Sequence, residues 1–206
     1  MKTDVRSRNA KGPEFSAAYP AHLVASWPLG VPHSITVRPI RPEDIDLETE
    51  FARKLSKETR YNRFLGGGIK LTPELLEKFT RVDFSRDMAL IATATIEGAE
   101  TAIGVARYVR LADGVTCEFA ITIADSWQGC GIGRKLLAML VDSARGHGMR
   151  QIIGDVLATN TPMLRLARSR GFRVERHPDG AELRRVVLEL VADQAPAASI
   201  PISSEN

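Results

Sequence analysis

The sequence is poor in the features that mark membrane, disulfide-rich or nucleic-acid-binding proteins. Its 206 residues include only two cysteines, Cys117 and Cys130, whose spacing fits no metal-ligand pattern, so free thiols in a reducing compartment are expected. No apolar run reaches the roughly 18 residues that a membrane helix needs, and the N-terminus lacks the apolar core of a signal peptide. The formal net charge of +3 is small, which disfavours nucleic-acid binding. We therefore expect a cytoplasmic protein without metal, membrane or nucleic-acid partners.

What the chain does have is an ordinary globular composition, with 44% hydrophobic and 26% charged residues, which suits one domain with a sizeable core. Residues 1–33 combine scattered basic residues with prolines and are expected to form an N-terminal arm or tail. Residues 34–191 carry the regular apolar patterns and are expected to form the domain. Residues 192–206 are rich in Ala, Pro and Ser and are expected to be a disordered C-terminal tail.

Apolar periodicity predicts, in chain order, a strand, two helices, three strands, a helix, a strand, a helix and two strands. The segment 56–68, between the first two helices, is polar and ends in glycines, so it is expected to be a loop. The three consecutive strands are predicted at 88–96, 102–110 and 115–123. The order predicts a single domain of mixed helices and strands.

The most informative segment is Trp127-Gln128-Gly129-Cys130-Gly131-Ile132-Gly133-Arg134, between the strand at 115–123 and an amphipathic helix. Glycines let a ligand approach the backbone closely, and the first amides of a helix have no intrahelical partner and lie at its positive end. Together they can seat a pyrophosphate. The spacing lacks the third glycine of a dinucleotide fingerprint, and no segment supplies a P-loop. A packing turn without a ligand is the alternative.

A second motif follows, Asn160-x-x-Met163-x-x-Leu166-x-x-x-x-Gly171-Phe172. Thr161 and Pro162 suit a helix start, and Gly171 suits its end. With Gln128-x-x-Gly131-x-Gly133, this pattern resembles the GCN5-related N-acetyltransferase (GNAT) superfamily, whose glycine loop holds the pyrophosphate of acetyl-CoA. Three further segments resemble the catalytic domain of bacterial Pat-type protein lysine acetyltransferases: 38–44, 56–64 and 83–90.

The resemblance implies an α/β (α+β) GNAT fold: a central mixed, mostly antiparallel sheet of about seven strands flanked by four helices, with the fourth and fifth strands splayed apart. It implies acetyl-CoA as co-substrate and direct transfer of the acetyl group to a primary amine. The acceptor would be a small amine or a protein lysine, such as one on an acyl-CoA synthetase. The protein would be a monomer or, by pairing of exposed strand edges, a homodimer.

The resemblance also implies which residues hold acetyl-CoA. Ile121 and Ile123 would offer main-chain contacts to the pantetheine arm and the thioester. Asn160 would contact the same arm, with capping of the helix at 161 as its alternative role. A solvated first-turn arginine is the alternative for Arg134. The residues expected around the pyrophosphate are Gln128, Gly129, Gly131, Gly133 and Arg134.

Glu118 is the candidate general base. Apolar strand neighbours should desolvate it in part and raise its pKa, and a base works best when its pKa lies near the operating pH. The Pat-type enzymes carry a glutamate at what looks like this position; a surface or salt-bridged residue is the alternative. Many family members place a tyrosine, the expected general acid, where this chain has Ala167. A non-catalytic acyl-CoA sensor is therefore the alternative function.

The segment with Arg60, Tyr61 and Arg63 would lie on the acceptor side by family analogy. The alternative is a docking loop that buries Tyr61 and Phe64. No role is assigned to the four histidines.

Overall fold

The computed structural model describes residues 18–28, 34–66 and 71–190. Within these ranges the chain forms one sheet of eight strands, in the order β1-β2-β3-β4-β5-β6-β8-β7, and five α-helices. The strands are β1 (Ala25–Pro28), β2 (Ser34–Pro39), β3 (Met88–Ile96), β4 (Ala99–Arg110), β5 (Thr116–Ile123), β6 (Gln151–Leu157), β7 (Arg173–His177) and β8 (Gly180–Glu189). The helices are α1 (Ile45–Lys54), α2 (Lys57–Arg63), α3 (Pro73–Thr80), α4 (Ile132–Gly146) and α5 (Thr161–Ser169).

The sheet is mixed and mostly antiparallel, as predicted, with the β5–β6 pair as its parallel step. Helix α4 packs on one face, where Leu136, Leu137 and Leu140 are fully buried. Helix α1 packs on the other face with Phe51 and Leu55. Burial of each such side chain contributes about 1.5–3 kcal/mol. The two apolar faces together fix the sheet between two helical layers.

One more strand and one more helix are present than expected. Strand β1 lies in the segment expected to be an arm, where Ala25 pairs with Val37 of β2. Just before it, the Tyr19 hydroxyl donates to the Pro39 carbonyl at 3.0 Å. Residues 25–28 therefore belong to the sheet, and Tyr19 is hydrogen-bonded to its second strand. The remaining parts of the predicted arm, 1–17 and 29–33, and the predicted tail at 192–206 lie outside the described residues.

Helix α2 corrects the loop predicted over 56–68. Ser56 caps it by accepting a hydrogen bond from the Thr59 amide at 3.1 Å. The Asp125 carboxylate, far away in sequence, accepts hydrogen bonds from the Ser56 amide (2.9 Å), the Ser56 hydroxyl (2.7 Å) and the Thr59 hydroxyl (2.7 Å). A helix this short is marginal alone, so the long-range contact to Asp125 stabilises it.

Strands β5 and β6 pair over a short stretch and then separate. The parallel register covers Thr116↔Gln151, Cys117↔Ile152 and Glu118↔Ile153. Beyond it, the Phe119 ring lies against Gly154 so closely that a Cβ there would be 2.6 Å from Phe119 Cε1. The ring occupies the point of divergence, which opens a fork between the two strands. This separation is the splay predicted between the fourth and fifth strands. The two strands are numbered β5 and β6 because the additional strand β1 precedes them.

Candidate active site

A cavity of about 610 Å³ lies at the fork between β5 and β6. Its wall combines α2, β5, the glycine loop, the first turn of α4, β6 and the start of α5. The predicted cofactor residues that line it are Ile121, Ile123, Gln128, Gly129, Gly131, Gly133, Arg134 and Asn160. The fold thus brings together all of the predicted cofactor residues. Glu118 sits at the base of the fork, next to the lining residue Phe119.

The main chain of β5 faces the cavity at the two positions expected from sequence. The Leu111 amide donates to the Thr116 carbonyl and the Ala124 amide to the Ile103 carbonyl. Because antiparallel pairing alternates along a strand and the β4–β5 register is unbroken, even-numbered residues of β5 bond to β4. Odd-numbered residues turn their amides toward β6, and Ile121 and Ile123 lie beyond the last paired position.

The glycine loop has the conformation expected of a ligand cradle. Gly129 and Gly131 have φ of 77° and 84°, a region that L side chains rarely adopt. A Cβ added at either glycine would meet no described atom within 4 Å, so neither is there for packing. Gly133 is different, because its Cβ would lie 3.4 Å from Leu166 Cδ2. Close packing thus accounts for Gly133, whereas Gly129 and Gly131 are required by the positive φ of the turn and leave open space beside the backbone.

Two side chains of the predicted set make internal contacts. Gln128 Nε2 donates to the Ile123 carbonyl at 3.1 Å and to Thr59 Oγ1 at 3.3 Å, so this side chain ties the glycine loop to β5 and α2. Asn160 Oδ1 accepts from the Met163 amide at 3.2 Å, which is the capping role. Arg134 is exposed at the cavity wall.

Glu118 projects from the face of β5 opposite to Ile121 and Ile123, because strand side chains alternate. Its side chain is exposed on one side. Partial desolvation raises its pKa, and the negative charge of Asp155 raises it further, against the opposing effect of Arg185. A carboxylate with a raised pKa is suited to accept a proton near neutral pH.

A charged cluster on β6, β7 and β8 adjoins Glu118. Arg185 contacts both oxygens of Asp155, at 2.9 and 3.0 Å, and His177 Nε2 lies 2.9 Å from Asp155 Oδ2. Burial acts to raise the pKa of Asp155, but the hydrogen bonds from Arg185 and His177 leave it lowered overall. No role for His177 is predicted from the sequence, because the cross-strand pairing that brings these residues together leaves no local pattern.

The segment predicted on the acceptor side does border the cavity. Tyr61 and Arg63 line it, and Arg60 and Phe64 line a smaller adjoining pocket. Tyr61 is 56% exposed, so the alternative of a docking segment with a buried Tyr61 is wrong. Ala167 is completely buried in α5 and has no group that can protonate a thiolate.

Cys117 is buried and Cys130 exposed, and both are free thiols. Burial raises the pKa of Cys117 to about 12, which makes its thiolate inaccessible at neutral pH. Across residues 18–28, 34–66 and 71–190, no cluster of three metal-ligating side chains occurs. In the same ranges, no helix combines the length and apolarity needed to cross a membrane.

The fork and the open glycine loop have the geometry that an acyl-CoA-dependent transferase needs. Comparison with known proteins gives the same class: residues 58–172 match the acetyltransferase (GNAT) family. The chain therefore belongs to the GNAT acetyltransferase family and is an acetyltransferase. Acetyl-CoA is the acyl donor of this family.

Individual relatives agree with the family assignment. An acetyltransferase of Pseudomonas aeruginosa is 36% identical over 165 residues, which cover 80% of this chain and 88% of that protein. The acetyltransferase Pat of Mycolicibacterium smegmatis is 31% identical over 82% of this chain, which spans only 48% of Pat. The crystal structure of the GNAT domain of S. lividans PAT has a TM-score of 0.74 and 29% identity, and covers 84% of this chain and 100% of that one.

Proposed function

We propose that this protein moves the acetyl group of acetyl-CoA directly to a primary amine, on a small molecule or a protein lysine, with Glu118 as general base. The observation that carries the proposal is the position of Glu118 at the base of the fork, on the strand whose Ile121 and Ile123 amides face the cavity. The cytoplasm is the proposed compartment, in keeping with two free thiols.

The residues suit the parts of acetyl-CoA in order along the cavity. The open space beside Gly129 and Gly131, together with the first amides of α4, fits the diphosphate. Arg134 adds a positive charge at the wall of the cavity. The amides of Ile121 and Ile123 can donate to the pantetheine arm and to the thioester carbonyl, which polarises that carbonyl. The Asn160 side-chain amide nitrogen stays available to the same arm, because its capping bond uses Oδ1.

The chemical step needs an uncharged amine. Glu118 takes a proton from the acceptor ammonium, directly or through one water, and passes it to solvent. The amine nitrogen then forms a bond to the acetyl carbon, the carbon–sulfur bond breaks, and the thiolate of coenzyme A leaves. The nitrogen, positively charged once this bond has formed, gives its second proton to water, which leaves the neutral amide. Because Ala167 cannot donate a proton, water protonates this thiolate.

The test replaces Glu118 by glutamine, which keeps size and polarity but removes the base. The variant should lose at least about 100-fold in kcat, in line with general-base catalysis, while its Kd for acetyl-CoA stays within about threefold of the wild type. Glu182→Gln is the control, since Glu182 is also an exposed glutamate on a strand of this sheet. Full turnover by the Glu118→Gln variant would remove the proposed base.

The acyl-CoA sensor is the second candidate, and the buried Ala167 is the observation that favours it. A screen of the wild-type protein against lysine peptides, polyamines and amino acids separates the two functions. Transfer to any amine supports the enzyme. Tight binding of acetyl-CoA with no transfer to any acceptor supports the sensor.

A further inference from the structure

Seven charged side chains lie at the acceptor side of the cavity or next to it, and four of them are paired. Glu58, Arg63 and Asp155 line the cavity, whereas Glu48, Arg107, Glu118 and Arg185 adjoin it. Arg107 NH2 lies 3.1 Å from Glu48 Oε1, and the two side chains are only 12% and 7% exposed. Arg185 holds Asp155 through two contacts at 2.9 and 3.0 Å. These pairs cancel two positive and two negative charges, so they add no net charge to the place where the acceptor would enter.

Arg63, Glu58 and Glu118 are the remaining three. Among residues 18–28, 34–66 and 71–190, none of them has an oppositely charged atom within 4.0 Å. Arg63 and Glu118 are close enough to influence each other, because each stabilises the charged form of the other. Burial and the nearby charge of Arg107 lower the pKa of Arg63 to about 10, although the negative charges of Glu48 and Glu118 act in the opposite direction. The acceptor side thus offers one cation without an ion-pair partner, Arg63, and two such anions, Glu58 and Glu118.

The neighbourhood of Arg63 also lacks hydrogen-bond partners. Thr122 Oγ1 is buried and has no partner in the described part of the chain, although buried polar atoms are normally satisfied. Glu48 Oε2 is also without a partner, but as an acceptor it would be satisfied by a donor and not by an anion. Thr122 is 7% exposed and, like Arg63, lines both the main cavity and an adjoining pocket of about 30 Å³. A small anionic group in this part of the cavity would meet two donors that have no acceptor of their own, the Arg63 guanidinium and the Thr122 hydroxyl.

We infer that the acceptor is an amine that carries a carboxylate close to its nitrogen, of the α-amino acid class, with the carboxylate on Arg63 and the ammonium toward Glu118. This inference rests on the proposed function, because it assigns Glu118 to the amine. A carboxylate matches the planar, forked guanidinium in two hydrogen bonds. A protein lysine has only methylene groups next to its ammonium and would leave the Arg63 guanidinium without a hydrogen-bond partner.

The first experiment uses the wild-type full chain and pairs of acceptors that differ only in the carboxylate. L-Phenylalanine is compared with phenethylamine, and L-methionine with 3-(methylthio)propylamine, at saturating acetyl-CoA. The amino acid of each pair should have a kcat/KM at least about tenfold higher, the value expected of one charge-assisted hydrogen bond. A lysine peptide with blocked termini is the third acceptor and should react more slowly than the amino acids.

The second experiment changes the cation. In Arg63→Met the preference for the amino acid over its matched amine should fall toward unity, whereas Arg63→Lys should keep part of it. Lys57→Gln is the control for loss of one positive charge on α2, because Lys57 is exposed and lies outside both pockets. The preference itself is a wild-type measurement, so it remains decisive if Arg63→Met fails to fold.

The outcomes distinguish a failure of the amino-acid inference from a failure of the proposed function. Equal or faster acetylation of the amines or of the lysine peptide overturns the inference and leaves the proposed enzyme intact. An unchanged preference in Arg63→Met also overturns it. Absence of transfer to every acceptor, with acetyl-CoA bound, overturns the proposed function and the inference with it.

Discussion

The contact between Gly154 and the Phe119 ring gives a quantitative prediction for Gly154→Ala. The new Cβ would lie 2.6, 3.0 and 3.1 Å from three ring carbons of Phe119, whereas carbon atoms pack at about 3.5–4.0 Å. The ring must therefore move by roughly 1 Å. It has little room to do so, because Phe119 is 5% exposed and its centroid lies 5.4 Å from that of Phe172.

Overpacking of this kind costs about 1–3 kcal/mol. In a domain of this size, each kcal/mol lowers the Tm by about 2–4 °C, so Gly154→Ala should melt about 2–12 °C below the wild type. Urea unfolding followed by circular dichroism gives the free energy of unfolding, and thermal melts give the Tm. Gly146→Ala is the control: that Cβ meets nothing within 4 Å, so this helical substitution should be neutral or slightly stabilising.

A second substitution tests the mechanism. Phe119→Leu removes the ring atoms that the new methyl would strike, so the double variant should be at least about 1 kcal/mol more stable than the sum of the single effects. Normal stability of Gly154→Ala, or strict additivity with Phe119→Leu, would refute the role of this contact at the fork.

Three further predictions concern charge and capping. Asp155→Asn removes a negative charge that raises the pKa of Glu118. Because the base must be deprotonated, the acid limb of the kcat/KM–pH profile should move to lower pH. An acid limb at the same or a higher pH would contradict this prediction. Asp125→Ala removes three hydrogen bonds to α2 and should lower the free energy of unfolding by about 2 kcal/mol, with a larger rise in the KM of the acceptor than of acetyl-CoA. Asp44→Ala removes a carboxylate that lies 2.6 and 2.7 Å from the buried Arg38 and leaves only the half-exposed Glu100, at 3.3 Å, as its ion-pair partner. The substitution should cost about 3 kcal/mol in chemical unfolding, and a loss below about 1 kcal/mol would contradict the role of this buried pair.

The sequence was sufficient for elements with strong local patterns. Strand β3 has the predicted limits, Met88–Ile96, because its apolar run ends at a turn that contains Gly98. The glycine loop could also be predicted from the sequence, because the spacing of Gly129 and Gly131 indicates backbone conformations that only glycine adopts easily. For these residues, local chemistry and tertiary structure impose the same conformation.

Elements that depend on distant residues were missed. Helix α2 needs the Asp125 carboxylate at its start, and β1 needs the edge of β2; neither partner is visible in the local pattern. The cluster of Asp155, Arg185 and His177 needs the register of β6 with β8 and the turn from β7. Which charged side chains of the acceptor side have no ion-pair partner depends on the same long-range pairings. Only the three-dimensional structure identifies them.

The central claim is that the open glycine loop holds the diphosphate of acetyl-CoA, and one calorimetric titration tests it directly. Gly131 and Gly98 have nearly the same φ, 84° and 83°, and a Cβ at either meets nothing within 4 Å, so alanine imposes the same strain of about 1–2 kcal/mol at both. Gly98 lies in the β3–β4 turn, away from the cavity. Gly131→Ala should raise the Kd for acetyl-CoA at least about tenfold, and Gly98→Ala should leave it unchanged. Equal, wild-type affinity in both variants would contradict the account.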